Sequence, residues 1–293
     1  MSSLIRQMGY VVVATPKLEA CAADLTDIVG LQIRWRDDTT ILMSSNARQC
    51  EVAFMQAQAP GIRAVGFEAV DKAAVDEVLR RAKSENLAIL SDTPSVPGIE
   101  RAVRFRTPFG PIFEVHTPSP RDALPQHTRL PIRAKRLDHV NLRVSDPRGF
   151  HDLLTGMLGM HLSDRTEDFG RAWYRAADGF HHTVAAGLGS GLHHYGFDAH
   201  SVLDLVTVAD TLVARDRTLL WGIGHHGPGN NIFSYYVDPM GCVIETSFGM
   251  ERIDNDATRQ AGVWDADYDK RVLDLWGSKP PPTYAAMLTP FAG

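Results

Sequence analysis

The chain holds three cysteines in 293 residues, Cys21, Cys50 and Cys242, odd in number and far apart. That excludes a disulfide framework and a paired-thiolate metal site, and the three read as reduced thiols of a cytoplasmic protein. No apolar run approaches the roughly 18 residues of a membrane span, so no membrane partner is expected. The stretch Met1–Gln7 lacks an apolar core followed by small residues, so no secretory signal is read there. Basic residues are in the minority, 30 Lys and Arg against 35 Asp and Glu, and no basic stripe offsets the net charge of −5. A nucleic-acid partner is excluded on that ground. What remains is an ordinary globular composition, 44% apolar and 22% charged, in a chain long enough for two domains. Histidine alone is uneven. Ten of the 12 lie from His139 onward, and of these His151, His161 and His200 read as surface residues.

A repeat organises the chain. Leu137-Asp138-His139-Val140 lies over Met8-Gly9-Tyr10-Val11, and Leu192–Phe197 lies over Ile62–Phe67. Asp238–Glu245 lies over Thr107–Glu114, at offsets of 129, 130 and 131 residues for the three blocks. One module of about 130 residues therefore occurs twice. Within each module a finer order also recurs: a β-rich run, a helical stretch, then alternating segments. The first unit has a strand at Tyr10–Ala14, a helix from Leu18 to Val29 stopped at Gly30, and three strands ending at Phe54. The second has a strand at Ala64–Val70, a helix from Lys72 to Asn86, and strands at Ala102–Phe105 and Pro111–His116.

The third unit has a strand at Leu137–Val144, a helix from Pro147 to Leu158 closed by Gly159, and strands near Met160–Leu162, Arg171–Ala176 and His182–Ala186. The fourth has a strand at Leu192–Asp198, a helix from Val202 to Arg215, and a hairpin of Ile232–Val237 with Cys242–Phe248 about the turn Asp238–Gly241. Pro118–Pro131, with four prolines and no periodicity, reads as the linker. The expected division is 1–120, 132–253 and a tail, 254–293, whose Trp264, Tyr268 and Trp276 suggest that it packs on the body. The glycine-rich run Gly222–Asn231 lacks the Lys-Ser/Thr of a phosphate loop and reads as a loop at a substrate mouth. Asn230 and Asn231 are expected to serve its turn geometry.

At the three marked positions the first copy reads Tyr10, Ala64, Glu114, and the second reads His139, His194, Glu245. A lone strand histidine is usually structural, but two at equivalent places of a repeat, with a carboxylate at the third, reverse that expectation. Alternation puts Leu137, His139, Asn141 and Arg143 on one face, and Leu192, His194, Gly196 and Asp198 on one face of the next strand. Two imidazoles and a carboxylate with open positions suit Fe(II), and Mn(II) accepts the same set. One half reads as scaffold and the other as a metal enzyme.

Four βαβββ units in two modules, an α+β arrangement with the complete triad in the C-terminal module, resemble the type I extradiol catechol dioxygenases of the vicinal oxygen chelate superfamily. The resemblance covers about residues 8–250. It rests most on His226 followed by the run Tyr235-Tyr236-Val237-Asp238-Pro239-Met240-Gly241-Cys242-Val243-Ile244-Glu245; Ser234 and His225 depart from the usual pattern. The resemblance implies sheets curled around a cavity, a mononuclear Fe(II) held by His139, His194 and Glu245, and a homo-oligomer. It also implies a catecholic substrate cleaved with O2 beside its hydroxyls. His182, His226 and Tyr235 match the family's catalytic positions. His182 would handle a proton near oxygen, and His226 and Tyr235 would bond substrate oxygens. His181 could face inward instead of His182, and Tyr235 could be a core aromatic. Trp173, Tyr174, Phe180, Tyr195 and the tail's aromatics could line the pocket or the core. The rival readings are an O2-independent metal lyase or isomerase of the glyoxalase type, and a ligand-sequestering protein; the intact triad speaks against the latter.

Overall fold

The computed structural model describes residues 3–122, 132–255, 258–265 and 272–292. Its first unit is β1 (Ile5–Thr15), α1 (Leu18–Asp24) running into a π-turn (Leu25–Val29), β2 (Gln32–Arg36), β3 (Thr40–Ser44) and β4 (Val52–Gln56). The second is β5 (Gly61–Ala69), α2 (Lys72–Ser84), β6 (Ala88–Ser91), β7 (Ala102–Arg106) and β8 (Ile112–His116). The third is β9 (Arg136–Val144), α3 (Pro147–Asp152) with a π-turn (Leu153–Met157), β10 (His161–Thr166), β11 (Arg171–Arg175) and β12 (Val184–Leu188). The fourth is β13 (Gly191–Asp198), α4 (Val202–Val213), β14 (Trp221–His225), β15 (Ile232–Val237) and β16 (Val243–Phe248).

The four βαβββ units are those expected, with two strands added, β6 and β14. β14 corrects the reading of Gly222–Asn231 as one loop: its first part pairs with β15, and only the part from His226 onward loops. Local chemistry sets the helix ends. Gly30 adopts φ +81°, a left-handed cap that a side chain would resist. Asp71 accepts from Ala74 N at 2.8 Å to start α2, and Ser201 with Asp204 forms a capping box on α4.

Each module curls into one sheet, ordered β2-β3-β4-β1-β5-β8-β7-β6 in the first and β14-β15-β16-β13-β9-β12-β11-β10 in the second. In both, the opening strands of paired units run antiparallel at the centre, flanked by parallel partners. Helices cover one face of each sheet, and α2 meets the turn after α3 while α4 meets the turn after α1. The helical faces thus merge into one apolar core that draws residues from both modules. The opposite, concave faces are left for other uses.

The tail adds a ninth strand, β17 (Gly262–Trp264), parallel to β10. Its end is strapped to both modules, because Leu192 and Thr289 exchange backbone bonds of 2.8 Å, and Ile62 does the same with Pro290 and Ala292 at 2.8 and 2.9 Å. Trp264 Nε1 donates to Asp164 at 2.7 Å, whereas Trp276 stays mostly exposed. Tyr268, and the expected linker beyond residue 122, lie outside the described residues.

One irregularity matters for the site. Pairing of β9 with β13 slips by one residue at Asp138 and again at His193, so each is a bulge residue without an opposite partner. The expectation that Leu137 and Leu192 share the histidines' face is therefore corrected. The bulges turn both leucines into the common core, while His139, Asn141 and Arg143 keep the concave face.

Candidate metal centre

Three neighbouring strands set the triad. Register places His139 on β9 opposite Gly196 on β13, and Gly196 opposite Glu245 on β16. A Cβ at Gly196 would lie 2.2 Å from His139 Cε1, so the glycine lets the imidazole lie across it. His194 stands two residues earlier on β13, on the same face. The Nε2 atoms of His139 and His194 are each 3.1 Å from Glu245 Oε2 and 3.4 Å from one another, all buried. A divalent ion about 2.1 Å from three mutually cis donors would space them by about 3.0 Å, so the spacing fits a facial cap with open positions.

The partners of the other ring nitrogens assign the tautomers. Asp138 accepts from His139 Nδ1, which leaves the Nε2 lone pair for a metal. His193 Nε2 lies 2.9 Å from the Tyr284 carbonyl and can only donate there, so its Nδ1 accepts from His194 Nδ1 at 2.7 Å. His194 Nε2 is thereby also left with its lone pair. Both supporting residues, Asp138 and His193, are the bulge residues.

Electrostatics agree. Burial presses His194 down to about 4. It opposes charge on His139 too, but Asp138 and Glu245 outweigh it and hold that ring at about 10. Burial would raise Glu245, yet the two imidazoles keep it well below the usual carboxylate range. Positive charge is favoured where the three donors meet.

The triad opens on a cavity of about 40 Å³ walled by His182, His226, Tyr235 and Tyr284 among others. Of the pair His181-His182, it is His182 that faces inward. His181 is fully buried behind it, with Nδ1 3.0 Å from His182 Nδ1 and Nε2 3.2 Å from Asp164. Burial, then the charges of His139 and His181, hold His182 well below its ordinary pKa. His226 Nδ1 donates to the Leu273 carbonyl at 2.6 Å, so Nε2 accepts from Tyr235 Oη at 2.9 Å. The Tyr235 ring stacks on Trp221 and the His226 ring on Phe233, which fixes both. Ser234, on the other face, bonds Thr246 at 2.7 Å.

Several expectations change. Asn231 is wholly buried and its Nδ2 donates to Glu245 Oε1 at 3.3 Å, so it supports the ligand rather than only the turn; Asn230, at φ +53°, does serve the turn. His225 bonds Asn230 and meets Trp276 edge to face rather than lining the cavity. Trp173 lines it, whereas Tyr174 and Tyr195 belong to the core and Phe180 lies between Arg136 and Arg252. His200 is exposed, but His151 and His161 are half-buried. The residues that sequence reasoning missed are Asp138, His193 and Tyr284. The first two adjoin ligands in the sequence, but Tyr284 lies outside the repeat and had no signal.

No family model matches the chain. Among curated proteins it is similar to the manganese-dependent 2,3-dihydroxybiphenyl 1,2-dioxygenase of Geobacillus genomosp. 3, 24% identical over 274 residues, which are 82% of this chain and 83% of that one. Among solved structures it superposes on the Mn(II)-bound glyoxalase of Novosphingobium aromaticivorans with a TM-score of 0.86 and 26% identity, covering 96% of this chain and 94% of that one. It also superposes on homoprotocatechuate 2,3-dioxygenase of Brevibacterium fuscum, with a TM-score of 0.89 and 21% identity, covering 98% and 93%. The fold is that of the vicinal oxygen chelate superfamily. Other curated proteins to which it is similar, each at 24% identity, are named metapyrocatechase and biphenyl-2,3-diol 1,2-dioxygenase.

Proposed function

We propose that the protein is a ring-cleaving extradiol dioxygenase that inserts both atoms of O2 into a catechol at one Fe(II) or Mn(II) ion. The observation that carries this is the facial cap of His139, His194 and Glu245 opening on a cavity with two unprotonated imidazole nitrogens and a phenol. When bound, the metal would chelate the vicinal oxygens of the catechol and bring O2 beside them. The side chains supply the rest. Tyr235 Oη and His226 Nε2 form a donor–acceptor pair placed to bind a substrate oxygen. His182, neutral through burial, takes a substrate proton at Nε2 and returns it as the O–O bond breaks, so that both oxygen atoms stay in the ring-opened product. The cavity is about 40 Å³, with Leu273 and Tyr284 among the side chains that line it.

The test is metal loading without air, then a catechol panel followed with an oxygen electrode. One O2 consumed per yellow ring-opened product is expected. His182→Ala should keep the metal and lose turnover about 100- to 10,000-fold; retained turnover would remove His182 from the role. The likeness to a structure named as a glyoxalase favours a second reading, an O2-independent isomerisation at the same metal. Turnover of a hemithioacetal under argon, with no O2 uptake on any catechol, would decide for it. The reading includes a cytoplasmic location, supported by three buried free thiols, and a homo-oligomer, supported by the exposed apolar row Leu203, Val206 and Val213 on α4. Size-exclusion chromatography with light scattering tests the latter.

A further inference from the structure

Beyond the triad, the cavity wall continues along β9, β12 and β11 in two further rows. Register puts Asn141 beside Ala185 and Ala185 beside Trp173; two residues on, it puts Arg143 beside Gly187 and Gly187 beside Arg171. Asn141, Ala185, Trp173, Arg143 and Arg171 all line the cavity. Gly187 keeps the second row open, because a Cβ there would lie 2.0 Å from Arg143 Nη1. The row thus presents two guanidiniums across a glycine, one from buried Arg143 and one from half-buried Arg171.

The first module shows that this wall is not a requirement of the frame. Its corresponding rows read Val12, Ala53, Leu42 and then Ala14, Met55, Thr40. The first of these is purely apolar, and neither carries a charge. Cationic side chains occur on these rows only where the triad is complete.

We propose that Arg143 and Arg171 form a carboxylate clamp, and that the substrate is a catechol bearing a carboxylate on its ring or on a short side chain. This rests on the dioxygenase reading for the catechol, but not for the clamp. Arg143 lies four residues from His139 on one strand, about 13 Å along it. Two long side chains reaching back from there meet the far edge of a ring whose oxygens face the triad. Paired guanidiniums match the planar, bidentate geometry of a carboxylate, and the neighbouring Trp173 offers the ring a flat flank.

The experiment compares kcat/KM for 3,4-dihydroxyphenylacetate and 2,3-dihydroxybenzoate with that for 4-methylcatechol and catechol, in the wild type, R171M and R143M. At least one carboxylated compound should be preferred tenfold or more, and either substitution should collapse that ratio at least tenfold, mainly through KM. A wild-type preference for neutral catechols, or an equal fall for all four compounds, would overturn the clamp. Should buried Arg143 prove necessary for folding, R171M carries the test alone, and R171E should turn the preference toward the cationic catechol dopamine. Calorimetric binding of the same four compounds to metal-loaded protein under argon gives a readout without catalysis. Tighter binding of a carboxylated catechol that is lost in R171M supports the clamp even if no compound is cleaved, an outcome that would sink the dioxygenase reading alone. Indifference to the carboxylate there sinks the clamp.

Discussion

In the first module Tyr10, Ala64 and Glu114 occupy the places that His139, His194 and Glu245 hold in the second, and both sets stand on the same irregular frame. The β1–β5 pairing slips at Gly9 and Arg63, as β9–β13 slips at Asp138 and His193. Gly66 clears space for the Tyr10 ring, as Gly196 does for His139; a Cβ would come within 2.7 and 2.2 Å of them respectively. The difference lies in what the carboxylate meets. Glu114 is saturated by Tyr10 Oη, by Ser95 N and Oγ at 2.8 and 2.6 Å, and by Arg104 Nε at 2.7 Å. Arg104 pairs with Glu114 where Tyr235 pairs with Glu245. A buried carboxylate needs compensating charge or donors in either cup. One cup supplies a guanidinium and hydroxyls, and the other leaves the place to a cation.

The strongest way to break the contrast is to move the ligands. His194→Ala should abolish metal retention and lower turnover by a factor on the order of 1,000 or more. Adding Tyr10→His and Ala64→His to that variant should restore neither. Arg104 and Ser95 still hold Glu114, and Gly9 and Arg63 stand where Asp138 and His193 would fix the new rings. Elemental analysis showing one ion per chain in the triple variant would mean that the triad alone makes the site.

The paired glycines sharpen the contrast by applying the same lesion to both cups. Gly196→Ala should drive the His139 ring from its place and weaken metal binding on the order of 100-fold. Gly66→Ala should leave metal binding alone and instead destabilise the fold by about 1–3 kcal/mol, since Tyr10 is only packed and hydrogen-bonded. Metal titration and thermal melts of the two variants check this. Equal loss of metal from both would contradict the separation of the cups.

The repeat was legible because its landmarks are spaced at nearly constant offsets, and the triad because two histidines replace a tyrosine and an alanine in it. The bulges were not legible. A slip of pairing leaves no mark in composition or alternation, which is why Leu137 and Leu192 were assigned to the wrong face. For the same reason the roles of Asp138 and His193 could not be seen, although each adjoins a ligand in the sequence. β14 was hidden by its glycines, which carry neither β-propensity nor alternation. Tyr284 comes from a tail without a counterpart in the repeat, and only tertiary contact brings it over His193.

Asp138 offers a milder test of the same idea. Asp138→Asn keeps the size of the bulge residue but removes the charge that holds the Nδ1 proton of His139. Metal affinity should fall about 10- to 100-fold with the fold intact. Unchanged affinity would show that the bulge geometry, not the carboxylate, orients the ring.

The smallest effect concerns the last landmark, where the second module has Asp238 and the first has Thr107. Thr107 closes its turn with a neutral hydroxyl, donating to the Pro111 carbonyl at 2.8 Å. Asp238 closes its own by accepting from Met240 N and Cys242 N at 2.9 and 2.8 Å. Burial raises its pKa from 3.8 to about 7, the backbone donors opposing and Asp24 assisting. Between those values the native state binds the proton more tightly than the unfolded chain, so stability must fall as pH rises across that window and level off above it. In Asp238→Asn this contribution disappears, because the amide oxygen keeps the turn's acceptor and nothing titrates. The melting temperature of the wild type, relative to the variant, should therefore decline by a few degrees between about pH 4 and pH 7. Parallel curves would mean that Asp238 ionises at its ordinary pH, and that the second copy's turn is no more sensitive to protons than the first's.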